Sequence, residues 1–174
     1  MNTDRENLRR LMRALRKKGV FARMGFHYTY AVAHRKAVWE CKPGQPYVFC
    51  TKGDLGHAIN PDDQMCRNNL WLTVNVCLPA GMAVFGEKHD QAVRGVAHLV
   101  LTTAEELGIT NINWDEDAGA GSDVSMDPRP EYLGARGDIT QDWEPADSPT
   151  KQLCRLGSKR IVNEKEEMGN RLSH

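Results

Sequence analysis

No stretch of the 174-residue chain approaches the roughly 18 consecutive apolar residues that a membrane-crossing helix requires. The opening MNTDRENLRR is polar and charged where a signal peptide carries an apolar run, so a soluble, cytoplasmic protein is expected. Net charge is missing as well. Twenty-three Lys and Arg balance 23 Asp and Glu, which removes any whole-molecule pull toward nucleic acid or an anionic membrane and leaves only local patches. The five cysteines (Cys41, Cys50, Cys66, Cys77, Cys154) are odd in number and form no Cys-x-x-Cys pair. That argues against a disulfide framework and a zinc ribbon, and free thiols suit a reducing compartment. Internal repeats are absent, and no cofactor is expected.

What is present suffices for one core: 40% of the residues are hydrophobic, and the length fits a single domain with a tail. Residues 3–18 are the clearest helix. Thr3-x-x-Glu6 reads as a capping box, Leu8, Leu11, Met12 and Leu15 follow at helical spacing, and Gly19 stands where a left-handed cap belongs. From Val20 to Cys77 the period changes to two. VFAR, FHYTYAVA, AVWEC, PYVFC and NLWLTVNVC, separated by KPGQP and INPDD, read as an antiparallel meander. In the last of these, Leu70, Leu72, Val74 and Val76 share one face, and Trp71, Thr73, Asn75 and Cys77 share the other.

DQAVRGVAHLVLTTAEELG is the second main helix, with Val93, Val96, Ala97, Val100, Leu101, Ala104 and Leu107 as its buried stripe and Gly108 as its stop. ITNINW returns as a strand. The expected fold is therefore α+β: an antiparallel sheet of about five strands with two main helices on one face. After Asp123 the chain turns polar and holds four of the eight prolines, so the expected division is a domain at 1–123 and a polar extension at 124–174 that wraps the domain or a partner. Its SKRIVNEKEEMGNRL offers a candidate amphipathic helix.

The stretch NINWDEDAGAGSD places Asp115, Glu116, Asp117 and Asp123 directly after a strand. Asp115-x-Asp117-x-Gly119 overlaps the start of a calcium loop, but Ala120 replaces the turn glycine and Met126 the closing glutamate, which rejects an EF-hand. A looser metal site through Asp115 and Asp117 stays an alternative to an acidic loop that docks on a basic partner. His27-x-Thr29 has the spacing of two-histidine phosphoesterases, yet no second His-x-Ser/Thr follows, and a shared strand face is the expected explanation. Zinc candidates are His34, Cys41, Cys50, His57 and Cys66, none in a short-spaced pair. If a thiol nucleophile exists, Cys50 with His57 is the choice. Arg9, Arg10, Arg13, Arg16, Lys17, Lys18 and Arg23 form a basic set that nucleic acid would use, against a solvated helix face matched to its dipole. Ala92, Gly95 and Ala97 sit at positions of an acyl-CoA-binding turn of the GNAT acetyltransferases, but Ala92 replaces the required Gln or Arg.

From about Leu8 to Asp117 the order of features resembles an uncharacterised bacterial domain family. The matching residues are Gly19-Val20, Tyr47-Val48-Phe49, Asp54, Leu70-Trp71-Leu72 and Trp114-Asp115. Lys52-Gly53 stands where that family usually has a glutamine before the acid, and Glu116 replaces the glycine after Trp-Asp. The resemblance implies the α+β fold and no known activity, cofactor or substrate.

The function expected from these residues is a non-enzymatic protein-protein interaction protein, an accessory, regulator or inhibitor of the kind phages and mobile elements encode. Its partner is another protein, bound through Asp115, Glu116, Asp117, Asp123 and Trp143, and self-association is compatible with the sequence. The alternative is a small hydrolase or transferase that uses His27 or His57 with strand-end carboxylates. Nucleic-acid binding through the basic helix is third.

Overall fold

The computed structural model describes residues 2–78, 86–115 and 124–130, all within the unit Met1–Ala135. In chain order these hold α1 (Asp4–Lys17), β1 (Phe21–Met24), α2 (Tyr30–Glu40), β2 (Pro46–Cys50), α3 (Lys52–Ala58), β3 (Leu70–Val76), α4 (Glu87–Glu106), β4 (Ile112–Trp114) and β5 (Val124–Met126). The five strands form one sheet in the order β1-β2-β3-β5-β4. The α+β class stands, but the sheet is mixed: β1 and β2 are parallel, and the other neighbours are antiparallel.

The parallel pair corrects the meander. FHYTYAVA and AVWEC, expected as strands, form a loop and α2, the crossover that parallel β1 and β2 require. Ala33 and Ala37, four apart, are its buried residues, a helical spacing that outweighs the strand preference of its Tyr, Val and Trp residues. A third short helix, α3, follows β2. Thr51 and Asp54 close a reciprocal capping box there, with Asp54 N–H to Thr51 Oγ1 at 3.0 Å and Thr51 N–H to Asp54 Oδ2 at 2.9 Å.

Alternation along β2 separates two cores. Val48 and Cys50 face α1, α3 and α4 together with Leu70, Leu72, Val74, Val124 and Met126, whereas Tyr47 and Phe49 face Ala33, Ala37, Cys41 and Cys77. Helices therefore cover both sheet faces rather than one. On the larger core α1 buries Leu8, Leu11, Met12 and Leu15 almost completely, each contributing about 1.5–3 kcal/mol by leaving water. Gly19, at φ +85°, ends α1 as expected: its N–H bonds Arg16 and that of Val20 reaches back to Leu15, both at the carbonyl.

The expected boundary at Asp123 falls immediately before β5, which lies between β3 and β4 with Leu72, Val124 and Trp114 in register. The chain is tied down again just past it. Asp4, fully buried, accepts from Cys66 N–H at 3.0 Å, from Asn111 Nδ2 at 3.3 Å and from Arg129 Nε at 2.9 Å, joining α1, the approach to β3, the start of β4 and the end of β5. The polar extension from 131 onward, including Trp143, Cys154 and SKRIVNEKEEMGNRL, lies outside the described residues. No described helix is long and apolar enough to cross a membrane.

Candidate functional site

The basic helix set is largely engaged by the domain itself. Arg9 pairs with Glu6, Arg10 donates to Asn7 Oδ1 and the Leu107 carbonyl, and Arg16 donates to the Ala22 carbonyl at 2.9 Å. Lys18 reaches Glu106 at 2.6 Å and Thr103, and Arg23 pairs with Glu40 while lying over the Phe21 ring. Arg13 and Lys17 face outward. Of the seven, five have structural uses, and the Arg16 bond also occupies a carbonyl of the edge strand β1.

The residues considered for catalysis do not meet. His27 lies in the β1–α2 loop rather than on a strand, at a left-handed φ of +57°, its carbonyl accepting from Lys52 N–H and its ring edge-on to Phe26. Thr29 is the N-cap of α2 and makes no side-chain capping bond. His57 is exposed in the last turn of α3. Asp115 directly follows β4, the opposite edge of the sheet from β1, so four strand spacings, about 19 Å, separate the two edges. Trp114 pairs with Val124, so the acidic stretch connects β4 to β5; Glu116, Asp117 and Asp123 lie outside the described residues. Cys50 is fully buried in the larger core, where burial pushes its thiol up to about 12, the wrong direction for a nucleophile at neutral pH.

The zinc candidates divide between the two sheet faces. His34 and Cys41 belong to the α2 side, where His34 Nε2 and the Tyr47 hydroxyl share a hydrogen bond of 2.9 Å, whereas Cys50 and Cys66 lie in the larger core. Among the described residues no group of three or more His, Cys, Asp or Glu is arranged to hold a metal ion. Ala92, Gly95 and Ala97 stand inside α4, past its first turn, so no helix N-terminus is available at them for a pyrophosphate.

Sequence patterning missed the outer face of α2. A surface helix ordinarily buries its large apolar residues and exposes small and charged ones. Here Ala33 and Ala37 go inward onto the Tyr47–Phe49 surface, and Val32, Val38 and Trp39 go outward, Trp39 at 83% exposure. Tyr28, at 75%, extends this face at the N-terminal end, and its ring carries the Lys52 ammonium at 5.1 Å from the centroid. Arg35 and Lys36 lie exposed beside Val32 and Trp39 and form no ion pair among the described residues. Low amphipathicity within YAVAHRKAVWE is the signal that would have found the face, once the segment is taken as helix. Trp71, on β3, is another exposed aromatic besides Tyr28, Tyr30 and Trp39, placed by alternation on the sheet face opposite Leu70 and Leu72.

The fold and this face define an α+β domain with a mixed sheet and a helix that carries its apolar bulk outward. No family model matches the chain, and neither a curated protein nor a solved structure matches it.

Proposed function

We propose that this is a protein-interaction module that binds another protein through the outer face of α2, and that the partner offers apolar surface bordered by carboxylates. The supporting observation is the inverted helix. Leaving Trp39 mostly in water and Val32 and Val38 44% and 41% exposed, while burying two alanines, forgoes roughly 2–3 kcal/mol at the tryptophan and about 1 kcal/mol at each valine, which a partner recovers on docking. Trp, Tyr and Arg are the residue types that dominate binding energy at interface centres, and Arg35 and Lys36 select for acids at the rim. The acidic stretch at 115–123 has the opposite sign and begins directly after β4, the edge strand opposite β1, so it is a separate docking candidate and an internal comparison.

The test begins with affinity capture by the wild-type chain, by Trp39→Ser, by Arg35→Glu and by Asp115→Lys, followed by titration of the purified partner against each. The expected result is a one-to-one complex weakened at least tenfold by Trp39→Ser and Arg35→Glu, with unchanged melting temperatures, and little affected by Asp115→Lys. A complex lost only with Asp115→Lys, recovery of nucleic acid in place of protein, or self-association through Trp39 would each overturn the assignment.

A further inference from the structure

A cavity of about 400 Å³ opens between α1 and α3, lined by Arg5, Lys52, Leu55, Gly56, Ile59 and Pro61. Its volume is in the range of small-molecule sites. Leu55, Ile59 and Pro61 supply an apolar lining, and the two cations stand beside it. Arg5 is held from behind: its N–H bonds the Gln64 carbonyl at 3.1 Å and its Nη1 donates to Gln64 Oε1 at 2.8 Å. Gln64 itself adopts a left-handed φ of +61°, stabilised by its N–H to the Asn60 carbonyl and its side-chain amide to the Pro61 carbonyl. A neutral amide orients the guanidinium without neutralising it, so most of its donor fork is available.

The nearby carboxylates are used elsewhere. Asp54 is committed to the Thr51 hydroxyl and N–H, Asp63 pairs with Arg67, and Glu6 pairs with Arg9. Among the described residues Arg5 and Lys52 therefore form no ion pair, and Asp62 reaches neither of them.

Gly56 adds an independent observation. It lies in the middle of α3 with an ordinary helical φ, and a Cβ built on it meets nothing within 4 Å. Glycine weakens a helix relative to alanine, and neither a turn nor a close backbone approach requires it at this position. Because Gly56 lines the cavity, a side chain there would take space from it.

The geometry points to a binding site for a small organic anion, one phosphate or carboxylate group on an apolar body the size of an aromatic ring. Arg5 and Lys52 take the charged group, and the body lies over Gly56 against Leu55, Ile59 and Pro61. This assignment shares Lys52 with the α2 face, since the Lys52 ammonium also lies over the Tyr28 ring at 5.1 Å from its centroid, but otherwise rests on different residues.

Amide-resolved NMR titration of the full chain tests it, with phenyl phosphate and benzoate as probes, and inorganic phosphate and benzyl alcohol as the separated halves. At least one of the two amphipathic anions should saturate the shifts of Lys52, Gly56 and Ile59 with a dissociation constant of about 1 mM, and each half should bind at least tenfold more weakly. Arg5→Met and Lys52→Met should each weaken the better probe about tenfold. Gly56→Ala should raise the melting temperature while lowering affinity, a combination that a purely structural glycine cannot produce, and Gly56→Leu should abolish binding. Absence of saturable shifts with both probes up to about 20 mM, inorganic phosphate binding as tightly as phenyl phosphate, or undiminished binding by Arg5→Met with Lys52→Met would overturn it.

Discussion

Asp4→Ala removes the one carboxylate that holds four parts of the domain together. Asp4 is fully buried, and its partner Arg129 has a side chain only 12% exposed, with Nη2 2.8 Å from Oδ1. The substitution leaves a largely buried guanidinium without its counter-ion and the Cys66 N–H without its acceptor, while Asn111 keeps its bond to the Asp127 carbonyl at 2.8 Å. Removing one partner of a buried pair costs about 3–5 kcal/mol, roughly a fifth or more of the stability of an ordinary domain. For a unit of this size that lowers the melting temperature by roughly 10–25 °C. Urea titration should show a lower midpoint at unchanged slope.

The cause can be separated from simple loss of packing. Asp4→Leu combined with Arg129→Met removes both charges and should recover much of the loss, because the penalty lies in the stranded charge rather than in the missing ion pair. A double-mutant cycle of Asp4→Ala and Arg129→Ala should give a coupling energy of about 2 kcal/mol or more. An Asp4→Ala loss below about 1 kcal/mol, or additivity of the two single changes, would refute the reasoning.

Burial of His34 lowers its pKa from the ordinary 6.5, so below that value the unfolded chain binds a proton that the folded chain resists. Stability should then fall as pH drops through 6.5 toward the lowered value, and His34→Gln should flatten that part of a melting-temperature profile relative to wild type. Cys50 and Cys66, with thiols raised by burial to about 12, should resist iodoacetamide in the folded protein and react once it is denatured, as read by peptide mass spectrometry. Gly25 has φ +64°, and a Cβ there would meet Leu55 Cδ1 at 3.1 Å, so Gly25→Ala should cost about 1–2 kcal/mol in urea titration.

Much of the fold is local and was therefore readable. Thr3, the Leu8–Leu15 stripe and Gly19 specify α1 within one segment, since caps and periodicity act between near neighbours. The same holds for the stripe of α4 and its stop at Gly108, φ +69°, and for the alternation of β3. The candidate face was less legible. Trp39, Val38 and Val32 have the composition of a strand, and only the pairing of β1 with β2 turns the segment into a helix whose alanines go inward. The cavity was not legible at all, because Arg5 and Gln64 are 59 residues apart.

By itself the sequence determined the α+β class, the two principal helices, four of the sheet's five strands in outline and the face of β3 that enters the core, because hydrophobic period and capping chemistry are written within a few residues. Tertiary structure decided what depends on distant segments meeting. Parallel pairing converted two expected strands into α2 and moved its large side chains to solvent; β5 entered the sheet past the expected domain edge; and burial made Asp4 a structural anchor and Cys50 a core residue. Burial, pairing and charge neutralisation belong to positions in space, and no local spacing encodes them.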